Sequence, residues 1–151
     1  MVKEDLMRPH ERRFPRVITD EEIAGMPKLE FNTGIETSIF ISRELDDARY
    51  FRQGICYAEA DHEPVNWFQA NFDETQCCLT GMVRLKVADF SGKEIVLEIG
   101  PGDHIYLPAG FEYTLEPNGA PYSFLWTSGP SAPAGIVEEP DYSKTLRALR
   151  K

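Results

Sequence analysis

Short runs of strand-forming residues, separated by turn residues, follow one another through most of this chain. The runs cover residues 37–42, 50–58, 65–72, 76–87, 94–99, 104–107, 112–115 and 122–127. The run from Glu94 to Ile99 alternates polar and apolar side chains, and Gly100-Pro101-Gly102-Asp103 forms a turn signal directly after it. No helical pattern of ten residues lies between the runs, which argues against parallel βαβ units. The pattern predicts an all-β fold, a single antiparallel sandwich or barrel.

Helices are predicted only near the two ends of the chain. Thr19 and Glu22 form a capping box that begins a short helix, which Gly25 and Pro27 end after two turns at most. Near the other end, Asp141 or Ser143 is a candidate N-cap for a final helix with Leu146 and Leu149 as its apolar stripe. The resulting division is an N-terminal arm and short helix (1–35), a β-barrel (36–128), and a loop with the C-terminal helix (129–151).

The net charge and the cysteine content limit which binding partners and which cellular compartment are expected. The 151 residues carry a net charge of −9, which argues against binding nucleic acid or an acidic membrane surface. The first 20 residues are rich in charge and contain no signal-peptide pattern, and the longest uncharged stretch, 119–137, is interrupted by prolines. Cys56, Cys77 and Cys78 lack CxxC spacing, and neighbours on a strand point to opposite faces, so we expect reduced thiols in a cytoplasmic protein.

Two spaced motifs carry the strongest signal. Residues 102–113 read G-x5-P-x-G-x2-Tyr, and upstream Glu74 is separated by six residues from Gly81. This pair of motifs resembles the cupin superfamily, in which the second motif ends in a metal-binding histidine and the first reads HxH, then Glu, then Gly. The aromatic-Asp-Glu run at 72–74 is most similar to the ethanolamine-utilisation Q-type cupins, which also lack the histidine pair. The resemblance implies a cupin-type jelly-roll barrel over residues 36–128.

The same resemblance places Trp67, Gln69, Glu74 and Tyr113 at the four positions where a cupin holds its metal. Only Glu74 is a usual ligand, because Trp67 cannot coordinate a metal and Tyr113 would have to lose a proton from a pKa of about 10. We therefore predict no metal and no other cofactor at this place. His10, His62 and His104 lie outside the motif positions and are expected at the surface.

A carboxyl group among aromatic residues suggests proton transfer or the recognition of a small polar molecule. Burial of Glu74 would raise its pKa toward neutrality, and Tyr113 is a candidate second proton donor. Trp67, Gln69 and Tyr57 are the further predicted ligand-binding residues, while a purely structural role for Glu74 stays open.

Three functions remain open at this point. The first is a metal-independent, small-molecule-binding cupin, with acid–base catalysis by Glu74 as an option. The second is a metal-dependent cupin enzyme (isomerase, lyase or dioxygenase) with non-standard ligands, and the third is a non-catalytic accessory protein. Because open sheet edges invite pairing, we also expect a homodimer.

Overall fold

The computed structural model of the protein describes residues 15–89, 91–130 and 140–149. Within these residues the chain forms ten strands and three short helices. The strands are β1 (Leu29–Asn32), β2 (Ile35–Ile41), β3 (Arg52–Ala58), β4 (Val65–Gln69), β5 (Asp73–Thr80), β6 (Val83–Ala88), β7 (Glu94–Ile99), β8 (His104–Leu107), β9 (Phe111–Glu116) and β10 (Tyr122–Gly129). The helices are α1 (Asp20–Ala24), α2 (Arg43–Asp46) and α3 (Pro140–Ala148).

The strands form two antiparallel sheets. The larger has the order β1-β2-β3-β10-β5-β8 and the smaller the order β4-β9-β6-β7. The register of the larger sheet places Trp126 of β10 between Gly54 of β3 and Gln76 of β5. Two antiparallel sheets with short terminal helices are the predicted jelly-roll architecture, so the all-β fold prediction is confirmed.

The core lies between the sheets and follows from the alternation of side chains along each strand. Burial along β3 alternates residue by residue from Arg52 to Ala58, and buried Leu85 and Leu115 face inward from the smaller sheet. Cys78 is buried while its neighbour Cys77 is partly exposed, as predicted for adjacent residues of a strand.

The predicted bend at Gly81 separates β5 from β6. Gly81 has a φ of +72°, and a Cβ atom there would collide with the carbonyl oxygen of Pro121. Glycine alone meets both requirements, because it tolerates the left-handed region and has no side chain to collide.

The terminal helices agree only in part with the prediction. The Thr19 side chain caps α1 as expected, accepting a hydrogen bond of 3.1 Å from the Glu22 amide. Helix α3 begins at Pro140, before both predicted capping residues, since proline suits the first turn of a helix. Among the side chains described there, Tyr142 and Leu146 are buried, whereas Leu149 is 42% exposed. The predicted stripe of Leu146 and Leu149 is therefore wrong at its second member.

Two elements were not predicted. Strand β1 pairs with β2, so the larger sheet begins at Leu29, within the segment assigned to the N-terminal arm. Helix α2 is a single turn in which the Ser42 side chain accepts a hydrogen bond of 3.2 Å from the Leu45 amide. Among the described residues, no helix is long and apolar enough to cross a membrane.

Candidate functional site

A cavity between the two sheets is the candidate site. It is lined by Phe31, Arg52, Cys56, Trp67, Phe72, Glu74, Gln76, Leu115, Phe124 and Trp126. The centres of water-sized molecules can occupy about 30 Å3 of it. This is room for a few non-hydrogen atoms, because a single water needs roughly 10–15 Å3 on this measure.

Glu74 and Gln76 present the polar groups of β5 to this cavity. They are two residues apart and therefore face the same side of the strand. The Nε2 of Gln76 donates a hydrogen bond of 2.7 Å to Oε2 of Glu74. Within the described part of the chain, Oε1 of Gln76 is buried and accepts no hydrogen bond. Since buried acceptors are nearly always paired, this oxygen marks a place for a donor.

Burial controls the proton affinity of Glu74. Removal of the carboxylate from bulk water raises the pKa of Glu74 from 4.5 to about 7. The hydrogen bond from Gln76 and the charge of Arg52 lower this pKa, but burial outweighs both. Glu74 therefore exchanges a proton near neutral pH.

Arg52 of β3 and Trp126 of β10 continue the same wall of the cavity, because β10 lies between β3 and β5 in the larger sheet. The Arg52 side chain is 9% exposed, and its guanidinium carbon lies 5.8 Å from the centre of the Trp126 ring. Its Nε donates to Oγ of Ser128 over 3.4 Å. The indole Nε1 of Trp126 donates to Oγ1 of Thr37 over 3.0 Å, which fixes the ring that covers the cavity.

The approach of Trp126 depends on a glycine. A Cβ atom on Gly54 would lie 2.6 Å from the Trp126 ring and 2.6 Å from the carbonyl oxygen of Ser38. Beside them, burial raises the pKa of the Cys56 thiol, so Cys56 stays protonated and contributes apolar surface.

Gln69 lies at its predicted strand position but serves the barrel itself. It is fully buried, and its Nε2 donates to the carbonyl oxygens of Phe72 (3.0 Å) and Leu107 (2.6 Å). Its Oε1 accepts a hydrogen bond of 3.2 Å from Nε1 of Trp67. Both amide hydrogens and the amide oxygen are thus occupied by the protein, and Gln69 is not among the residues lining the cavity.

Tyr113 is also held within the wall. Its hydroxyl donates a hydrogen bond of 2.7 Å to the carbonyl oxygen of Pro108, and its ring lies 5.6 Å from that of Trp67. Burial, assisted by the charge of Glu74, raises the pKa of Tyr113 to about 12. The hydroxyl proton of Tyr113 is already donated to the Pro108 carbonyl oxygen, so Glu74 is the remaining candidate proton donor or acceptor among the predicted residues.

Tyr57 lies away from the cavity. Its neighbour Cys56 faces inward, so Tyr57 points to the outer side of the sheet, where Lys28 Nζ stands 4.6 Å above its ring. It borders a separate surface groove that also includes Glu59. Trp126 of β10, in contrast, lines the cavity.

The four cupin ligand positions do not fit a transition metal. The indole of Trp67, the engaged amide of Gln69 and the Tyr113 hydroxyl leave Glu74 as the single usual ligand. Among residues 15–89, 91–130 and 140–149, no group of three or more His, Cys, Asp or Glu side chains is placed to hold a metal ion.

The histidines differ from expectation in one case. His62 is 2% exposed. Its two ring nitrogens form hydrogen bonds with Tyr122 Oη (2.6 Å) and the Glu63 carbonyl oxygen (2.7 Å), which compensate for the loss of contact with water. The surface prediction is therefore wrong for His62. It is confirmed for His104, which is exposed, while His10 lies outside the described residues.

Two polar residues of the cavity were missed in the sequence. Gln76 could have been found, because it follows Glu74 at the period of a strand. Arg52 begins β3, and only the pairing of β3 with β10 brings it beside Trp126.

Comparison with known proteins identifies the architecture. No family model and no curated protein sequence matches the chain. Among solved structures, it is similar to a mutant of oxalate decarboxylase from Bacillus subtilis, with a TM-score of 0.64 and 16% identity over 87% of this chain. It is also similar to the EutQ protein of Clostridium difficile (TM-score 0.51, 16% identity, 64% of this chain and 68% of that one). A cupin domain of Cnp3 from Schizosaccharomyces pombe is a third neighbour (TM-score 0.56, 11% identity, 72% of this chain and 71% of that one).

These likenesses concern the fold. The identities are low, and the chain spans 34% of the length of the oxalate decarboxylase chain. The comparisons therefore show a shared fold, and the chemistry of this chain has to be argued from the residues of its own cavity.

Proposed function

We propose that this protein, which has the cupin fold, binds a small polar molecule in its barrel cavity at Glu74. The observation that carries the proposal is Gln76, which lines the cavity, donates a hydrogen bond to Glu74, and has a buried Oε1 that accepts no hydrogen bond within the described part of the chain. A mainly apolar cavity with a few convergent polar groups is the usual form of a small-molecule site. A bound ligand would supply the donor that this oxygen lacks.

Glu74 also supplies acid–base chemistry in this proposal. With a pKa of about 7, the carboxyl group is present in both protonation states at neutral pH. It is thus suited to give a proton to a bound molecule or to take one from it. Arg52 would stabilise negative charge that develops in the cavity.

The proposed binding does not use a metal. Its support is the ligand set, in which one carboxylate stands with an indole, an engaged amide and a phenol. Elemental analysis of the protein purified without a histidine tag should find well under one equivalent of transition metal per chain. A stoichiometric metal would instead favour the metal-dependent enzyme with non-standard ligands.

A ligand screen tests the proposal directly. We expect small acids, amines, alcohols or sugars to include a compound that raises the melting temperature, because a ligand bound to the folded state stabilises it. The variant Glu74→Gln should weaken that effect, whereas Glu30→Gln, a change at an exposed glutamate of β1, should retain it. Absence of stabilisation by every class would favour the non-catalytic accessory protein.

Compartment and assembly are part of the same proposal. We place the protein in the cytoplasm, where its three free cysteines would stay reduced. Its acidic balance supports a partner other than nucleic acid or membrane. We propose a homodimer because β1 and β8 are the two outer strands of the larger sheet. Tyr106 of β8 and Leu79 of the adjacent strand β5 are also exposed and add apolar surface on this side of the sheet.

A further inference from the structure

We propose that the ligand of this cavity is a small primary amine, bound as an ammonium ion between Glu74 and Gln76. The inference rests on the proposed function and specifies its ligand class. Two side chains of β5 that line the cavity carry hydrogen-bond acceptors. These are the Glu74 carboxylate and Oε1 of Gln76, of which the second accepts no hydrogen bond within the described residues.

The orientation of the Gln76 amide supports a donor-bearing ligand. Its Nε2 donates to Glu74, so its oxygen is directed away from the carboxylate. The flipped amide would place oxygen against oxygen when Glu74 is ionised, which is unfavourable. An ammonium group has three donors and no acceptor, and it can serve Gln76 Oε1 and the carboxylate together.

The cavity walls suit a cation of this kind. Trp67, Phe72 and Phe124 line the cavity together with the polar pair, and the faces of aromatic rings attract ammonium ions. The carboxylate supplies the opposite charge in surroundings where charge interactions are strong.

The positive charge of Arg52, which lines the cavity, disfavours the binding of a cationic ligand there. Its guanidinium lies over Trp126, and its Nε is directed to Ser128. The acceptor without a partner belongs to the Glu74–Gln76 pair, and it requires a donor, which a carboxylate ligand lacks. A carboxylate attracted to Arg52 would leave Gln76 Oε1 unpaired, so the amine satisfies the site better.

The available space limits the size of the amine. The 30 Å3 open to the centres of water-sized molecules corresponds to a few non-hydrogen atoms. Methylammonium and ethylammonium are therefore the appropriate probes, with ethanol and acetate as neutral and anionic controls of similar size.

Calorimetric titration of the full chain tests the inference at constant ionic strength. We expect saturable binding of methylammonium or ethylammonium, and we expect that neither ethanol nor acetate reduces this binding. Because Glu74 must be ionised to pair with the cation, binding at pH 7 should release roughly half a proton. This release is measured from the heats in two buffers of different ionisation enthalpy.

Variants then locate the binding site. Glu74→Gln and Gln76→Leu should each weaken amine binding at least tenfold, as expected when a charge-assisted or buried hydrogen bond is lost. Glu30→Gln is the matched control and should bind as the wild type does. Circular dichroism of each variant establishes that it is folded, and the comparison of ligands on the wild type needs no variant.

The outcomes separate this inference from the proposed function. Binding of acetate or ethanol with no binding of either amine would overturn the amine assignment and leave a small-molecule site standing. Amine binding that is unchanged in Glu74→Gln would also overturn it. Failure of every compound in the wider screen would overturn both proposals.

Discussion

The raised pKa of Glu74 gives the protein a distinctive dependence of stability on pH. A carboxyl group that binds its proton more tightly in the folded chain than in the unfolded one favours folding at low pH. This contribution is complete below about pH 4.5 and is lost as the pH rises through about 7. The replacement Glu74→Gln removes the ionisable group while keeping its size and its hydrogen bond from Gln76.

The magnitude follows from the two pKa values. Integrating proton binding from pH 5 to pH 8, with a pKa of 4.5 in the unfolded and about 7 in the folded chain, gives a loss of about 2.5 kcal/mol. Water that enters the cavity screens part of the charge, so we expect a loss of about 2 kcal/mol. The groups whose charges act on Glu74 or respond to it are Arg52, Cys56 and Tyr113.

The assay is urea unfolding at pH 5 and pH 8, followed by circular dichroism. Other carboxyl groups titrate in both proteins, so the difference between wild type and Glu74→Gln isolates this one. We expect the variant to gain about 2 kcal/mol relative to the wild type between pH 5 and pH 8. Glu30→Gln should show no such gain.

One result would refute the reasoning. A Glu74→Gln variant whose stability relative to the wild type stays level or falls from pH 5 to pH 8 would show that the ionised carboxylate is well stabilised in the fold. Glu74 would then be a structural ion and not a group that exchanges protons near neutrality.

Four further predictions concern the walls and the surface. Gln69→Leu should lower the free energy of unfolding in urea by about 3 kcal/mol, because three hydrogen bonds, two of them buried, lose their partner; an unchanged midpoint would contradict this role. Gly54→Ala should cost about 1–3 kcal/mol and shift the fluorescence of the displaced Trp126, since its Cβ has no room; unaltered emission and stability would count against the packing described. Native thiol titration should modify Cys77 rapidly and Cys78 only on unfolding, and equal rates would mean that the strand is misassigned. Light scattering should give a mass near twice 17.2 kDa, and a single-chain mass at micromolar concentrations would exclude the dimer.

The sequence predicted the strands well because their signals are local. Turn residues and alternation at Glu94–Ile99 and His104–Leu107 define strands whose bounds match the structure. The resemblance carried by the two motifs also placed Trp67 and Glu74 together, and both line the cavity although they belong to strands of different sheets.

The rest of the site depends on contacts between distant segments. The Gln69 amide donates its hydrogen bonds to the carbonyl oxygens of Phe72, in the following loop, and Leu107, in β8. No local sequence pattern reveals these contacts. Arg52 and Trp126 meet because β3 pairs with β10, and this register is a property of the whole sheet.

The position of β10 in the larger sheet sets the order of events during synthesis. This strand lies between β3 and β5, and it joins residues as far apart as Arg52 and Ser128, which are 76 positions apart. On a ribosome, β3 and β5 emerge long before their shared neighbour, so each presents an open edge until Gly129 has left the exit tunnel. Contacts of such long range form slowly, and nascent chains with open edges aggregate. Folding of the barrel is therefore expected only after translation of β10.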